Sequence, residues 1–392
     1  MIKTNPSITM IDYSNYLVYL PEGHPVRHRK KDLHRIDARL SLEYREKILD
    51  IRDMDLRLEN FMLSLQDYQE LVTDAFVMNI HWSTRIEGNM MSLEEVRESS
   101  RRVLKSKERL KAHNPGPLQE ILNHLYSYFF SDDLRLPWNL NIIRSLHKFL
   151  MDQTGEDCVP GQIRTEEEMS VFSSDGTETF IACPAVHVKE ELSQLLEWVN
   201  TSAYDPIVTA IVFFHEFESI HPFTEGNGRV GRSLFHILMQ ELGLYNFNLC
   251  KFEDKLVGNS KVYYGLLEYT DSTGDYTPII GYFLDCIFDA YSEALDRFTE
   301  KDILKDLDEN GKALAIEARR FGDWFTVQDA TSWVDGLTEQ SVRPKLNQLV
   351  DMGVLEKEGR TRSTRFRFSD PFRDLKKMMR KFPLLEDDEG DE

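Results

Sequence analysis

Residues 221–232 read His-Pro-Phe-Thr-Glu-Gly-Asn-Gly-Arg-Val-Gly-Arg, and side chains of these types at this spacing suit phosphate chemistry. Gly226 and Gly228 allow positive φ and let a ligand approach the backbone closely. The amides of residues 226–229 would open a following helix, where unpaired N–H groups and a partial charge of roughly +0.5 favour an anion. Asn227 adds a neutral donor. Arg229 and Arg232 add forked cations that match phosphate oxygens. Glu225 is the one acid inside the stretch. Beside phosphates, a lone carboxylate suits Mg²⁺, which prefers carboxylates, waters and phosphate oxygens. His221 can take a proton near pH 7. A lone Gly-x-Gly is ordinarily a turn, and a lone histidine is ordinarily structural. Together with an acid and two arginines, they describe a nucleotide phosphate cradle with a base at its mouth.

The elements around this stretch must hold it. Residues 207–220 and 233–239 are apolar, helix-compatible runs, so the loop is expected between two core helices. The pattern resembles the signature of the Fic family, His-x-Phe-x-Asp/Glu-Gly-Asn-Gly-Arg-x-x-Arg, with every fixed position filled. The resemblance implies a mainly α fold: a Fic helical core with a β-hairpin flap. It also implies an enzyme, a protein adenylyltransferase that moves AMP from ATP to a Ser, Thr or Tyr hydroxyl and releases pyrophosphate. On that pattern His221 is the catalytic base and Glu225 holds Mg²⁺ on the phosphates. Thr224, Gly226, Asn227, Gly228, Arg229 and Arg232 attend the nucleotide. Asn259 and Tyr263 are implied near the adenine or ribose, whereas Tyr264 reads as a core tyrosine with a hydrogen-bonded tip. Tyr276 stands where the family often has tryptophan, a difference that concerns packing.

A second stretch, Ser83-Thr84-Arg85-Ile86-Glu87-Gly88, looks by itself like an ordinary helix end with Gly88 or Asn89 as a left-handed cap. Beside a Fic loop it resembles the family's inhibitory motif, Ser/Thr-x-x-x-Glu-Gly/Asn, filled by Ser83, Glu87 and Gly88. The implied glutamate reaches Arg232 and occupies the space of the γ-phosphate. A carboxylate and a phosphate then compete for one guanidinium. Three alternatives remain beside autoinhibited adenylylation: removal of AMP with Glu87 activating water, transfer from another nucleotide, and a DNA-binding regulator whose loop senses nucleotide.

Composition narrows the classes. The formal net charge is −20, which disfavours non-specific binding to nucleic acid or anionic membranes for the whole molecule. No apolar run approaches bilayer length and no signal pattern opens the chain, so a cytoplasmic protein is expected. Cys158, Cys183, Cys250 and Cys286 are scattered without metal-ligand spacing and read as reduced thiols.

Four regions are expected. Residues 1–112 hold an irregular arm with an edge strand around 16–20, a long amphipathic helix over 39–68 and the inhibitory helix over about 69–88. A capping box, Ser92 with Glu95, starts another helix. Residues 113–298 form the core, with helices at roughly 117–131, 138–153, 252–270 and 276–298. Within it, a flap hairpin at about 161–184 turns at Asp175-Gly176. By resemblance the flap binds a protein target through main-chain bonds, which leaves the target unnamed; self-modification and a homodimer are also expected. Residues 299–380, after a break at Asn310-Gly311, resemble a winged helix of α+β type, with Thr338 capping the recognition helix. Its hairpin carries Lys357, Arg360, Arg362, Arg365 and Arg367, diluted by Glu356 and Glu358. A protein-contact module is therefore favoured over DNA. Residues 381–392 are an acidic tail.

Overall fold

The computed structural model describes residues 13–18, 25–106, 109–129, 134–172, 178–360 and 363–370. The hairpin tip at Asp175-Gly176, Arg362 and the acidic tail lie outside them. The chain is mostly helical, as its apolar periodicity requires.

In the arm, Tyr13–Tyr16 is a single 3₁₀ turn and residues 17–18 are not in a strand, while residues 19–20 of the expected edge strand lie outside the described residues. A strand comes later, as β1 (Val26–Arg27). The helix expected over 39–68 ends early. Helix α1 runs Leu42–Asn60, and α2 starts after Ser64, whose hydroxyl accepts the Asp67 N–H, and runs Leu65–Arg85. A serine cap overrides the continuing apolar period here, because it satisfies a helix-end donor that a through-running helix would not expose. Helix α3 (Leu93–Lys105) opens on the expected capping box of Ser92 and Glu95.

Helices α4 (Pro117–Ser127) and α5 (Leu140–Met151) precede the flap strands β2 (Ser170–Phe172) and β3 (Glu178–Ile181). These strands pair antiparallel, and β1 adds parallel to the other side of β3, giving the order β1-β3-β2. β1 and β2 are therefore the two edges of this sheet, and β2 is the flap's edge. Helix α6 (Ala185–Thr201) leads to α7 (Pro206–Ile220) and α8 (Asn227–Glu241). All of α7 from Ile207 onward is buried except Glu218. A helix apolar on all sides belongs in the middle of a core, and α7 packs there against α6, α8 and the C-terminal core helix.

The helix expected over 252–270 is two, α9 (Glu253–Val257) and α10 (Ser260–Thr273), because Asn259 accepts the Val262 N–H and restarts the helix. Helix α11 (Thr277–Lys301) packs along α1 and closes the main core.

A second, smaller core gathers Leu314, Phe325, Val342, Leu346 and Phe366. It is built from α12 (Glu309–Phe321), α13 (Val327–Ser332), α14 (Glu339–Asp351) and the antiparallel pair β4 (Leu355–Glu358) and β5 (Arg365–Phe368). The break expected at Asn310-Gly311 does not occur. Asp308 accepts the Gly311 N–H at 2.8 Å and carries both residues into α12. Thr338 does stand at the start of α14, its N–H donating to Ser341 Oγ at 3.0 Å. Met62, between α1 and α2, is buried in this second core, and the Leu65 N–H donates to the Gly353 carbonyl at 3.1 Å. The two cores thus meet at the start of α2. No helix among the described residues is long and apolar enough to cross a membrane. The four cysteines are free.

Candidate active site

The loop between α7 and α8 is set by its own residues. His221 ends α7 in the left-handed region, φ 52° and ψ 66°, with its N–H still bonded to Phe217 O at 3.0 Å. That backbone is uncommon for a residue with a Cβ, and such residues gather at functional sites. Asn227 then closes the turn. Its amide oxygen accepts the Phe223 N–H and its amide nitrogen donates to Phe223 O, both at 2.8 Å. The neutral donor expected for a ligand is therefore first a brace for the loop. Gly226 caps α8 with φ 83°, and a Cβ there would stand 2.5 Å from Met151 Sδ. From Gly226 the chain enters α8, whose opening amides face no side-chain cap.

His147 supports the loop from α5. Its ring stacks on Phe223 with centroids 3.7 Å apart. The Gly161 N–H donates to its Nδ1 at 2.7 Å, so Nε2 carries the proton and donates to Glu225 O at 3.0 Å. Burial, first, pushes this imidazole down to about 4, which keeps it neutral as that pairing needs.

The two arginines part company. Arg229 points away into the core and pairs with Glu120 at 2.7 Å and Glu156 at 3.2 Å. Glu120 also accepts from Asn89 at 2.7 Å, so the turn after Glu87 and the loop share one carboxylate. Arg232 faces the cleft. It donates through Nε to Ser83 Oγ at 2.9 Å, and through its NH2 group to Ser83 O at 2.8 Å and Glu87 Oε1 at 2.6 Å. Desolvation disfavours both charges of the Arg232–Glu87 pair. Their attraction outweighs it: the carboxyl is held below its ordinary range and the guanidinium above its own. Gly88, at φ 99°, reverses the chain directly after Glu87. Gly228 is where the carboxylate meets the loop, since a Cβ there would collide with Glu87 Oε1.

A partly open cleft lies beside this pair. Its walls include Glu87, His221, Gly228, Arg232, Tyr263 and, from the flap, Phe180. Tyr263 is buried, while Tyr264 lines the cleft at 40% exposure and is not the core residue expected. Asn259 is absent from these walls; its side chain caps α10. Thr224 is partly buried on the loop, and Glu225 is exposed.

His221 Nδ1 lies 3.2 Å from Glu218 O. A carbonyl only accepts, so Nδ1 carries the proton and Nε2 is left with a lone pair. Burial, first, and the Arg164 cation lower this imidazole to about 4, although the Glu218 carbonyl opposes the shift. His221 is thus an unprotonated base at neutral pH. The Glu225 carboxylate makes no hydrogen bond among the described residues, and desolvation and then Glu156 raise it. A cation there would relieve that repulsion, so the residue fits Mg²⁺.

Two residues of the site carry no sequence signal. Arg164, almost fully buried, donates to the carbonyls of His221 (2.7 Å), Glu166 (3.1 Å), Ile220 (3.2 Å) and Cys183. It ties the end of the flap to the loop. Glu218 lines the cleft with Oε1 unpartnered, and desolvation pushes its carboxyl up to about 8. Their partners lie on other segments or are backbone atoms, which no local motif can report.

Residues 137–239, which span α5 to most of α8 and include the loop, match the model of the Fic/DOC family. The chain carries a Fic domain. Among curated relatives, the protein adenylyltransferase fic-1 of Caenorhabditis briggsae is 25% identical over 181 residues, 45% of this chain and 34% of that protein. The protein adenylyltransferase Fic of Nematostella vectensis is 24% identical over 229 residues, 56% of this chain and 49% of that protein. The chain thus spans about a third to a half of the length of these two relatives. The crystal structure of a Fic family protein from Desulfovibrio desulfuricans shares the fold. Its TM-score is 0.55 over 86% of this chain and 98% of that one, at 22% identity.

Proposed function

We propose that this Fic protein transfers AMP from ATP to a hydroxyl of a protein and that Glu87 holds it inactive. The observation that carries this reading is the arrangement around Arg232: a cation engaged by Glu87, beside the opening amides of α8 and the free Nε2 of His221. His221 Nε2 takes the proton of the attacking Ser, Thr or Tyr oxygen, which bonds to the α-phosphorus as the bond to pyrophosphate breaks. The α8 amides stabilise the charge that develops, a preorganised electrostatic term. Glu225 would hold Mg²⁺, which supplies charge neutralisation on the phosphates when bound. Arg229 braces the loop through Glu120, and Arg232 takes the γ-phosphate once Glu87 leaves. Tyr263 borders the nucleoside end, and Asn259 acts there only by starting α10. The open edge of β2 suits strand addition by a target segment.

We further propose that the domains follow the two cores, with the boundary near 302–308, and that the C-terminal unit is a winged-helix-like protein-contact module. The observation favouring this over DNA is the pairing of its cations. Arg365 bonds Glu358, Arg367 bonds Glu356 at 2.7 Å, Lys345 bonds Asp308, and Lys357 donates to Asn347 at 2.9 Å.

The test is labelling by α-³²P-ATP and Mg²⁺ with the wild type and Glu87→Gly, using the protein itself and a cell lysate as acceptors. The variant is expected to label protein more strongly than the wild type. If it labels none, self-modification included, the transferase reading fails.

A further inference from the structure

A run of hydrogen bonds behind the Fic loop has a fixed direction. The Ser219 hydroxyl donates its one proton to Asp271 Oδ1 at 2.7 Å. Its oxygen can therefore only accept from His28 Nδ1, also 2.7 Å away. Nδ1 carries the ring proton, and Nε2 is turned to Glu191 Oε2 at 2.9 Å. With Nδ1 already protonated, the short contact between Nε2 and the carboxylate oxygen is bridged either by a second ring proton or by a metal ion. The Cys183 sulfur stands beside both, with one ligand atom from each of His28, Cys183 and Glu191 within 4.8 Å of the others. All three are well covered: the side chains of His28 and Glu191 are 4% and 11% exposed, and Cys183 is fully buried.

We propose that His28 Nε2, Cys183 Sγ and a Glu191 oxygen bind a Zn²⁺ ion, with a fourth position left for water. Nitrogen, sulfur and carboxylate oxygen together suit a borderline-soft, tetrahedral ion and not Mg²⁺, which takes oxygen. Bonds of roughly 2.0–2.3 Å need ligand atoms a little over 3 Å apart, so His28 and Glu191 would separate by only a few tenths of an ångström. The outer partners are already in place. Ser219 fixes the ring orientation of His28 as an outer-shell acceptor should, and Asp271, which fixes Ser219, is itself held by Lys31 at 2.7 Å. On binding, the Cys183 thiol gives its proton to solvent and no bond is oxidised or reduced.

The three ligands come from separate segments. His28 follows β1, Cys183 follows β3, and Glu191 lies on α6. The ion would fasten the arm and the flap to the helix beneath them. The His28 N–H already donates to Ile181 O at 2.8 Å, so the arm is held in place for it.

The test uses the full chain, purified without chelators from zinc-supplemented culture. It is expected to hold about one zinc per chain, since a formed site with these donors binds tightly. Cys183→Ser and His28→Gln lose that zinc, while Cys158→Ser retains it. Exchange for Co²⁺ gives a thiolate-to-cobalt charge-transfer band that Cys183→Ser abolishes. Should either variant fail to fold, the wild type decides alone. After dialysis against Zn²⁺ or Co²⁺, substoichiometric metal and no thiolate band would mean that the slot holds a proton on His28, and the proposal falls.

Discussion

The Fic loop and the C-terminal hairpin both place arginines opposite glutamates, yet the two pairings do different things. In the hairpin, Arg365 and Arg367 meet Glu358 and Glu356 directly across the β4–β5 ladder, on a wet surface. Such pairs cancel charge locally and contribute about 0–1 kcal/mol each. In the loop, Arg232 meets a glutamate 145 positions away, in a pocket where its own side chain is 3% exposed. There the partners are partly dry, several donors converge, and the carboxylate stands in a cleft that a phosphate could enter. Equal charges in the two regions therefore yield a neutralised surface in one and, on the proposed function, an exchangeable anion in the other.

The sharpest way to break this contrast is at the base. His221→Ala in the Glu87→Gly background is expected to lower labelling by about 10²–10⁴-fold while ATP still binds. Labelling kinetics together with calorimetric ATP binding check it, and a rate left within twofold would remove His221 from the chemistry. Next comes the exchangeable anion. Losing one charge-assisted bond worth roughly 1.5–3 kcal/mol should tighten ATP binding by Glu87→Gly about 10- to 100-fold over wild type. Unchanged affinity would mean that Glu87 does not compete with the nucleotide.

Arg164→Ala strips donors from several buried carbonyls. It should cost about 3 kcal/mol or more in denaturant unfolding and raise KM for a protein acceptor. The pH profile is gentler. Because burial holds His221 near 4, below the ordinary 6.5, its basic form persists across neutrality. Labelling by Glu87→Gly should be flat from about pH 6 to 8 and fall as pH drops toward 4. A midpoint near 6.5 would contradict the buried environment. Smallest of all, Arg365→Gln with Arg367→Gln should leave labelling unchanged, and duplex DNA should show no sequence-specific, salt-dependent shift with the wild type.

The loop was legible because its chemistry is contiguous: a base, an acid, two glycines and two arginines fall within one turn, and α7 and α8 announce themselves by apolar runs. Ser83, Glu87 and Gly88 were legible only as a resemblance to a family motif, and the bond from Glu87 to Arg232 is the contact that the resemblance implied. What the residues could not report were competitions settled locally by single side chains. Ser64, Asn259 and Asp308 each moved a helix end by offering an oxygen to a backbone N–H, against a hydrophobic period that pointed elsewhere. Arg164 and Glu218 were silent because their environment is made of backbone carbonyls and distant charges. The Cys183 cluster was silent because its members lie 155 and 8 residues apart along the chain and meet only in space.

Asn89 sets how far any release has to go. Its side chain donates to Pro117 O at 3.1 Å and to Glu120, and its oxygen takes the Met91 N–H at 3.0 Å, two residues beyond Glu87. The main chain at that bend is moored to α4, so the acid can swing away by turning about its own side-chain bonds while the helix behind it stays seated. A rotation of that kind has to break the bond to Arg232 but melts no secondary structure.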